Sequence, residues 1–376
     1  KRIYQASFCG YFPAEDPQYS MIVVINSPST NGYYGNVVAG AIFKEVADKV
    51  YSLNMNMQPA LNQQLAANHQ LPVLAKGDAN DIEKLYAYLG GKPNHVDGEW
   101  TDLRIEPYAP LSLNPSNATL HYGQSIFEGM KAYKNEEGEI LLFRADANQK
   151  RLNESARRMC IPEVPEEIFM EGLMTLLDLD RSWIPNKPGY SLYIRPFVFA
   201  TDDYIGVRPS EKYKFMIFTC PVGNYYSKPV AVKVEQKYTR AIEGGTGQAK
   251  AAGNYAGSLY PALLAQKEGY DQLLWTDGKT HQFIEESGTM NVMFMINDTL
   301  ITAPTHTGTI LKGITRDSVL SIAREMGYPV EERFLSVTEL EKAVVEGKLQ
   351  DAFGTGTAAT IAHIFKININ GQDYVL

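Results

Sequence analysis

Apolar and polar positions keep two different rhythms along this chain, and the change between them divides it. Ala6–Phe12 and Met21–Asn26 are apolar-rich runs of strand length, joined by the turn-forming stretch Pro13-Ala14-Glu15-Asp16-Pro17. Ser27–Gly35 reads as a loop. Ala41–Leu53 then sets Ile42, Phe43, Val46, Ala47, Val50 and Tyr51 on one face at helical spacing. Asn54–Leu74 is rich in Asn, Gln and Ala without a sustained period and predicts a linker. A short helix over Asp81–Leu89 stops at Gly90-Gly91, and Lys92-Pro93-Asn94 breaks the chain. A boundary is therefore expected near 91–97.

From Gly98 onward strands and helices alternate. Lys131–Tyr133 and Ile140–Phe143 flank Asn135-Glu136-Glu137-Gly138 and predict a hairpin. Helices are expected over Ala147–Met159 and Pro165–Asp178, and strands over Ser191–Val198 and Tyr213–Cys220. After a connection at 221–227 come strands at Val230–Val234, Gln272–Trp275, Asn291–Ile296 and Leu300–Thr302. Helices are expected to run on through Leu264 and over Arg316–Met326 and Thr338–Glu346. The pattern predicts an α/β (α+β) fold with two domains, 98–220 and 228–376, behind a small α+β fragment over 1–53 and a linker over 54–97.

Composition narrows the chemistry. Hydrophobic content of 44% and charged content of 21% over 376 residues are those of an ordinary globular protein. A net charge of -8 and a pI near 5.4 argue against nucleic acid as a partner. No apolar run reaches the length of a membrane span, and Lys1-Arg2-Ile3 does not open a signal peptide. The 3 cysteines, Cys9, Cys160 and Cys220, are odd in number and widely spaced. They suit neither a disulfide framework nor a zinc site, so a cytoplasmic protein without a metal is expected.

One stretch stands out chemically. Gly244-Gly245-Thr246-Gly247-Gln248-Ala249-Lys250-Ala251-Ala252-Gly253-Asn254-Tyr255 sets a single lysine among glycines and small residues at the mouth of a helix. A lysine used as an amine nucleophile needs such a flexible, close-packed approach. Glu285-Glu286-Ser287-Gly288-Thr289-Met290-Asn291 follows, with a carboxylate to pair a protonated pyridine nitrogen. Gly313-Ile314-Thr315 precedes a helix, and Gly354-Thr355-Gly356-Thr357-Ala358-Ala359 follows a short strand. Both are backbone-rich places for an anion, and Arg144 at a strand end can supply a cation. Read singly, each has a plainer meaning: a solvated lysine, a loop carboxylate, turn glycines, a surface ion pair. Read together, they suggest pyridoxal phosphate.

The wording of these runs, from about Gly98 to the end, resembles the branched-chain amino acid aminotransferases, of the fold-type IV pyridoxal phosphate class. The resemblance rests on Leu120 to Ala132 (Leu-His-Tyr-Gly-Gln-Ser-Ile-Phe-Glu-Gly-Met-Lys-Ala), Leu142-Phe143-Arg144, Ser191 to Pro196 and Cys220-Pro221-Val222-Gly223. To these add the lysine and glutamate segments, Gly313 to Arg316 and Gly356 to Ala359. It implies that Lys250 is the Schiff-base lysine. Glu286 would be the partner of the ring nitrogen, with neighbouring Glu285 as its rival. Arg144, Ile314, Thr315 and Thr357 would hold the phosphate, Tyr255 would face the phenolic oxygen, and Arg240 would lie near the cofactor. Phe127, Tyr193, Thr289 and Ala358 would line the substrate pocket. Arg195 and Tyr122 would handle the substrate's acidic side chain and the pocket wall shared in a homodimer.

The reaction so implied moves the amino group of leucine, isoleucine or valine to 2-oxoglutarate, giving branched-chain 2-oxo acids and glutamate. Lys250 would carry the proton at the substrate's Cα. Residues 1–90 instead resemble the C-terminal tail of a penicillin-binding transpeptidase domain, through Ala6 to Pro13, Tyr33-Tyr34-Gly35 and Phe43-Lys44-Glu45. The Ser-x-x-Lys and Lys-Thr-Gly motifs of that family are absent, so the segment is expected to be non-catalytic. The end at Leu376 looks early for an aminotransferase. Alternatives are a D-amino acid aminotransferase, an aminodeoxychorismate lyase, or an inactive truncated fusion carrying the transpeptidase remnant.

Overall fold

The computed structural model describes residues 5–12, 19–26, 39–40, 42–47, 94–96, 99–101, 103–223 and 228–376. The linker expected over 54–74 and the helix expected over 81–89 lie outside these residues, as does the Tyr33-Tyr34-Gly35 run. The chain divides into two compact units, Lys1–Asp78 and Ala79–Leu376. In the first, β1 (Gln5–Phe12) and β2 (Tyr19–Asn26) pair antiparallel, with Phe8 opposite Val23. Residues 39–40 and 42–47 are helical, overlapping the helix expected over Ala41–Leu53.

In the second unit, period-2 alternation builds one sheet. Its strands are β3 (Asn94–Val96), β4 (Glu99–Thr101), β5 (Ser125–Phe127), β6 (Met130–Lys134), β7 (Ile140–Leu142), β8 (Ser191–Ala200) and β9 (Tyr213–Val222). They lie in the order β4-β3-β9-β8-β6-β7, with β5 also paired to β8. On β8 the even positions Leu192, Ile194 and Val198 are buried among residues of the helices Ala145–Arg158 and Glu166–Leu179, notably Leu152, Phe169, Leu173 and Leu177. Each such side chain stabilises the fold by roughly 1.5–3 kcal/mol. The odd positions Tyr193, Arg195 and Phe197 therefore point to the opposite face.

The second sheet holds β10 (Val230–Glu235), β11 (Gln272–Thr276), β12 (Ile284–Ser287), β13 (Met290–Ile296), β14 (Thr299–Thr302), β15 (Val330–Glu332), β16 (Leu349–Thr355), β17 (Ile361–Ile369) and β18 (Gln372–Val375). Its path β12-β11-β10-β17-β16-β13 returns to β12 through the β12–β13 hairpin, so the strands close on themselves. β10 runs parallel to both β11 and β17. The helix Ala252–Lys267 crosses over between β10 and β11, as parallel neighbours require. β13 is buried along almost its whole length, which explains its unbroken apolar run Val292-Met293-Phe294.

The expected helix at Arg316 begins at Ile314 and follows Gly313 as its cap, so Ile314 and Thr315 form its first turn. The helix Val337–Val345 is capped by Ser336, whose hydroxyl accepts from the Glu339 amide at 3.0 Å. The structure adds β3, β4, β5, β12, β15, β17 and β18 to the expected strands. The first five are only 3 or 4 residues long, too short to show a period. β17 alternates buried Ala362 and Ile364 with exposed Ile361, His363 and Phe365 and then buries Ile367, Asn368 and Ile369 in a row, a mixture with no single period.

Candidate active site

A cavity of about 840 Å³ lies between the two sheets and takes its lining from both. One wall is the odd face of β8 with the matching residues of its neighbours. Lys131 stands opposite Tyr193, and Phe127 opposite Phe197, so alternation puts these with Gly129 and Arg195 on one surface. Gly129 leaves room there for the Tyr193 hydroxyl, which a Cβ would displace. Arg195 donates to that hydroxyl at 2.8 Å and lies 4.5 Å from the Phe127 ring centroid, while its buried Nε has no partner among the described residues.

Lys250 sits at the end of the glycine-rich loop, two residues before the helix Ala252–Lys267. Its backbone is clamped to the helix Ala145–Arg158 and to β5. The N–H donates to Ser155 Oγ at 2.9 Å, and the carbonyl accepts from the Phe127 amide at 3.0 Å. Asn254 ties the loop down by donating to the carbonyls of Thr246 and Ala249, both at 2.8 Å. A Cβ on Gly247 would overlap the Thr309 carbonyl, which explains a glycine there. The lysine amine donates to the Tyr255 hydroxyl at 3.0 Å and lies 5.0 Å from the Phe127 ring centroid.

Glu286 enters the same cavity from β12, where it pairs with Asn291 across the hairpin. Asn291 Nδ2 donates to its Oε1 at 3.0 Å, and the Arg240 guanidinium holds Oε2 at 2.7 Å. Burial pushes the carboxyl above its ordinary value, opposed by the charges of Arg240 and, more weakly, Lys250. Glu285 is one residue away and points to the other side of the strand, out of the cavity. It accepts from Thr309 Oγ1 at 2.6 Å, and its other oxygen is buried without a partner among the described residues. Strand alternation thus separates two carboxylates that look equivalent in sequence. Arg240 itself backs Glu286 and does not line the cavity; it also donates to the Thr309 carbonyl.

The far end is built for an anion. Gly313, Ile314 and Thr315 bring a helix N-terminus to it, and Gly356 and Thr357 face them. Thr315 Oγ1 donates to the Gly356 carbonyl at 3.3 Å. A Cβ on Gly313 would overlap Asn291 Oδ1, so a larger residue there would have to displace the amide that bonds Glu286. Thr355 Oγ1 is buried there without a partner among the described residues, as expected of a hydroxyl that awaits a ligand. The charged side chains of the lining are Lys131, Arg151, Arg195, Lys250 and Glu286, four cations against one carboxylate. A pyridoxal phosphate fits this set: an amine, a carboxylate for its ring nitrogen, and a cationic, backbone-rich end for its phosphate.

Besides Arg240, two more expected site residues lie outside the lining. Arg144 does not reach the cavity: it caps the helix Ala145–Arg158 with φ 51°, and its side chain pairs with Asp317 at 2.7 Å and Ser318 at 2.8 Å. The arginine that lines the anion end is Arg151, two turns along that helix. Tyr122 ends the helix Ala118–Tyr122, 38% exposed and outside the lining. Thr289 and Ala358 do line the cavity. Sequence reading missed Arg151 and Lys131. For Arg151 the available signal was the polar stripe Asn148, Arg151 and Ser155, at helical spacing yet buried, which resembles a solvated helix face. Lys131, whose amine donates to the Ala358 carbonyl at 2.8 Å, lies in a quoted run that gave it no role.

Comparison with known proteins places the chain in a family. Residues 125–367 match the family model for amino-transferase class IV. Branched-chain-amino-acid transaminase 1 of Bacillus subtilis (strain 168) is 47% identical over 281 residues, covering 74% of this chain and 79% of that protein. The branched-chain aminotransferase of Thermoproteus uzoniensis with norvaline superposes with a TM-score of 0.61 at 28% identity, over 75% of this chain and 88% of that one. The branched-chain amino acid aminotransferase of Thermobaculum terrenum in its PLP-form gives a TM-score of 0.57 at 25% identity, over 68% and 80%. This chain belongs to the class IV amino-transferases and, among them, to the branched-chain-amino-acid aminotransferases.

Proposed function

We propose that the chain transfers the amino group of leucine, isoleucine or valine to 2-oxoglutarate, with pyridoxal 5′-phosphate, the cofactor of its family. The observation that carries this reading is the meeting of Lys250 Nζ and the Glu286 carboxylate in one cavity with an anion-binding end. When bound, the cofactor supplies an electron sink that takes the electron pair released at the substrate's α-carbon. Glu286 keeps a negative charge beside the ring nitrogen and so holds a proton there. Lys250 would take the proton from the α-carbon of the amino donor and, in the return half-reaction, deliver one to the α-carbon of the acceptor, with its amine oriented by the Tyr255 hydroxyl. Arg151, Ile314, Thr315 and Thr357 hold the phosphate, and Arg151 takes the part first expected of Arg144.

The aromatic wall of Phe127, Tyr193 and Phe197 accepts a branched alkyl group, and Arg195 at its edge accepts the side-chain carboxylate of glutamate. Replacing Arg195 by leucine is expected to raise KM for 2-oxoglutarate roughly 10- to 100-fold, the loss of one charge-assisted pair, and to leave KM for leucine within about threefold. Steady-state kinetics with each substrate varied checks the split.

The functional unit is a homodimer in this reading. The support is that Tyr122 lies outside its own cavity, and that Tyr108, Ile205 and Val207 are exposed at 89%, 64% and 91%. The residues on either side of 221–227 form separate domains, and 1–90 is a non-catalytic piece related to a transpeptidase tail. The start of the family match at residue 125 and the separate unit Lys1–Asp78 support setting the first segment apart. No helix of the described residues is long and apolar enough to cross a membrane. Free Cys160 and Cys220 favour a reducing, cytoplasmic setting.

The test is the visible spectrum of the purified chain with pyridoxal 5′-phosphate, before and after L-leucine. A cofactor band that is lost on adding leucine and restored by 2-oxoglutarate supports the proposal. A band that responds to D-alanine and not to leucine would transfer the chain to a D-amino acid aminotransferase. No band at all would favour an inactive fusion.

A further inference from the structure

Glu128 lies between β5 and β6 and faces away from the cavity, so it touches neither substrate nor cofactor. It is fully buried, at 0% exposure. Its two oxygens accept from Arg151 Nε and Nη2, both at 2.8 Å, in a fork. Oε2 also accepts from Asn148 Nδ2 at 2.7 Å and from the Gly129 amide at 3.3 Å. The remaining Arg151 nitrogen, Nη1, donates to the Lys312 carbonyl at 3.1 Å, one residue before the glycine that caps the helix at the anion end. Burial alone would raise the Glu128 carboxyl, but the Arg151 charge and hydrogen bonds outweigh it and hold it below its ordinary value.

A buried carboxylate behind an anion site is costly in two ways. It must be desolvated, and its charge opposes the arriving anion. What it gives in return is geometry, since a bidentate fork fixes the plane of the guanidinium. We propose that Glu128 is a positioning residue for the phosphate end of the site: it holds Arg151 in the orientation that binds a phosphate ester, although it lowers the net charge there. The inference rests on the pyridoxal phosphate reading above.

The test compares two probes on the chain freed of cofactor, pyridoxal 5′-phosphate and pyridoxal, which lacks the phosphate. Wild type is expected to prefer the phosphorylated probe strongly. Glu128→Gln should weaken its binding roughly 10- to 100-fold, the worth of a misaligned charge-assisted pair, and leave pyridoxal within about twofold. Arg208→Ala, which removes an arginine outside the cavity that pairs with Asp202 and Glu211, should change neither. Should Glu128→Gln not fold by circular dichroism, Asn148→Ala removes one of the bonds to the carboxylate and should lower the preference by roughly threefold to tenfold. Equal weakening of both probes would make Glu128 merely structural, and unchanged or tighter phosphate binding would show that its charge matters more than its fork. Either result overturns the proposal. A wild type that binds both probes alike would instead sink the reading of the anion end itself.

Discussion

Lys250→Ala is expected to lower the turnover of leucine with 2-oxoglutarate by about 10⁴-fold or more, with the fold intact. The size follows from what the residue does twice. Its amine is the nucleophile through which the cofactor is held, and it is the group that moves the proton at the α-carbon, a step worth roughly 10²–10⁴-fold alone. Neither Tyr255, whose hydroxyl is 3.0 Å away, nor Lys131 can substitute, since Lys131 is engaged with the Ala358 carbonyl. Folding should survive because the backbone, not the side chain, clamps the loop to Ser155 and Phe127. An added small amine should restore part of the rate if proton transfer is the main loss. A variant with more than about a tenth of wild-type turnover would show that another residue carries the proton.

Glu286→Gln has the second largest expected effect, a fall of roughly 10²–10³-fold in kcat from losing a preorganised charge beside the ring nitrogen. It also makes a pH prediction whose sign can be worked out. Burial raises the Glu286 carboxyl above 4.5 in the fold, Arg240 notwithstanding. As pH falls through that raised value the group takes up a proton and loses the charge that a protonated ring nitrogen needs. Cofactor affinity of wild type should therefore decline on the acid side, while that of Glu286→Gln stays flat over the same range. For stability the sign is opposite. A carboxyl raised in the fold binds its proton more tightly there than in the unfolded chain, so its contribution is present below 4.5 and lost as pH rises through the folded value. Thermal melts of the cofactor-free proteins should show wild type losing ground to Glu286→Gln as pH rises. Parallel pH profiles of the two proteins would refute the assignment.

Local chemistry accounts for what the chain's letters already carry. The lysine loop and the glutamate hairpin each carry their meaning within about a dozen residues, because glycine freedom and strand pairing act over that range. The same holds for Ile314, Thr315 and Thr357, which belong to a helix start and a turn that short-range rules describe. Long helices and strands with a clear period are visible for the same reason.

Other decisions belong to the tertiary structure. Arg144 and Arg151 sit on one short stretch, and their residue types are identical. Which of them reaches the anion end depends on how the helix Ala145–Arg158 packs, and that packing buries a polar stripe against Glu128 that amphipathic reasoning assigns to solvent. Glu285 and Glu286 are likewise equal as letters, and only the register of β12 against β11 and β13 turns one into the cavity. Tyr122 is placed outside its own cavity by the ending of a five-residue helix. The amino-acid sequence by itself determined the class of chemistry, since that depends on which functional groups lie in which local loops. Only the fold decided which charges meet. Lys131 reaches the Ala358 carbonyl and Arg151 the Lys312 carbonyl across long stretches of chain, and such meetings are set by packing geometry and not by any local pattern.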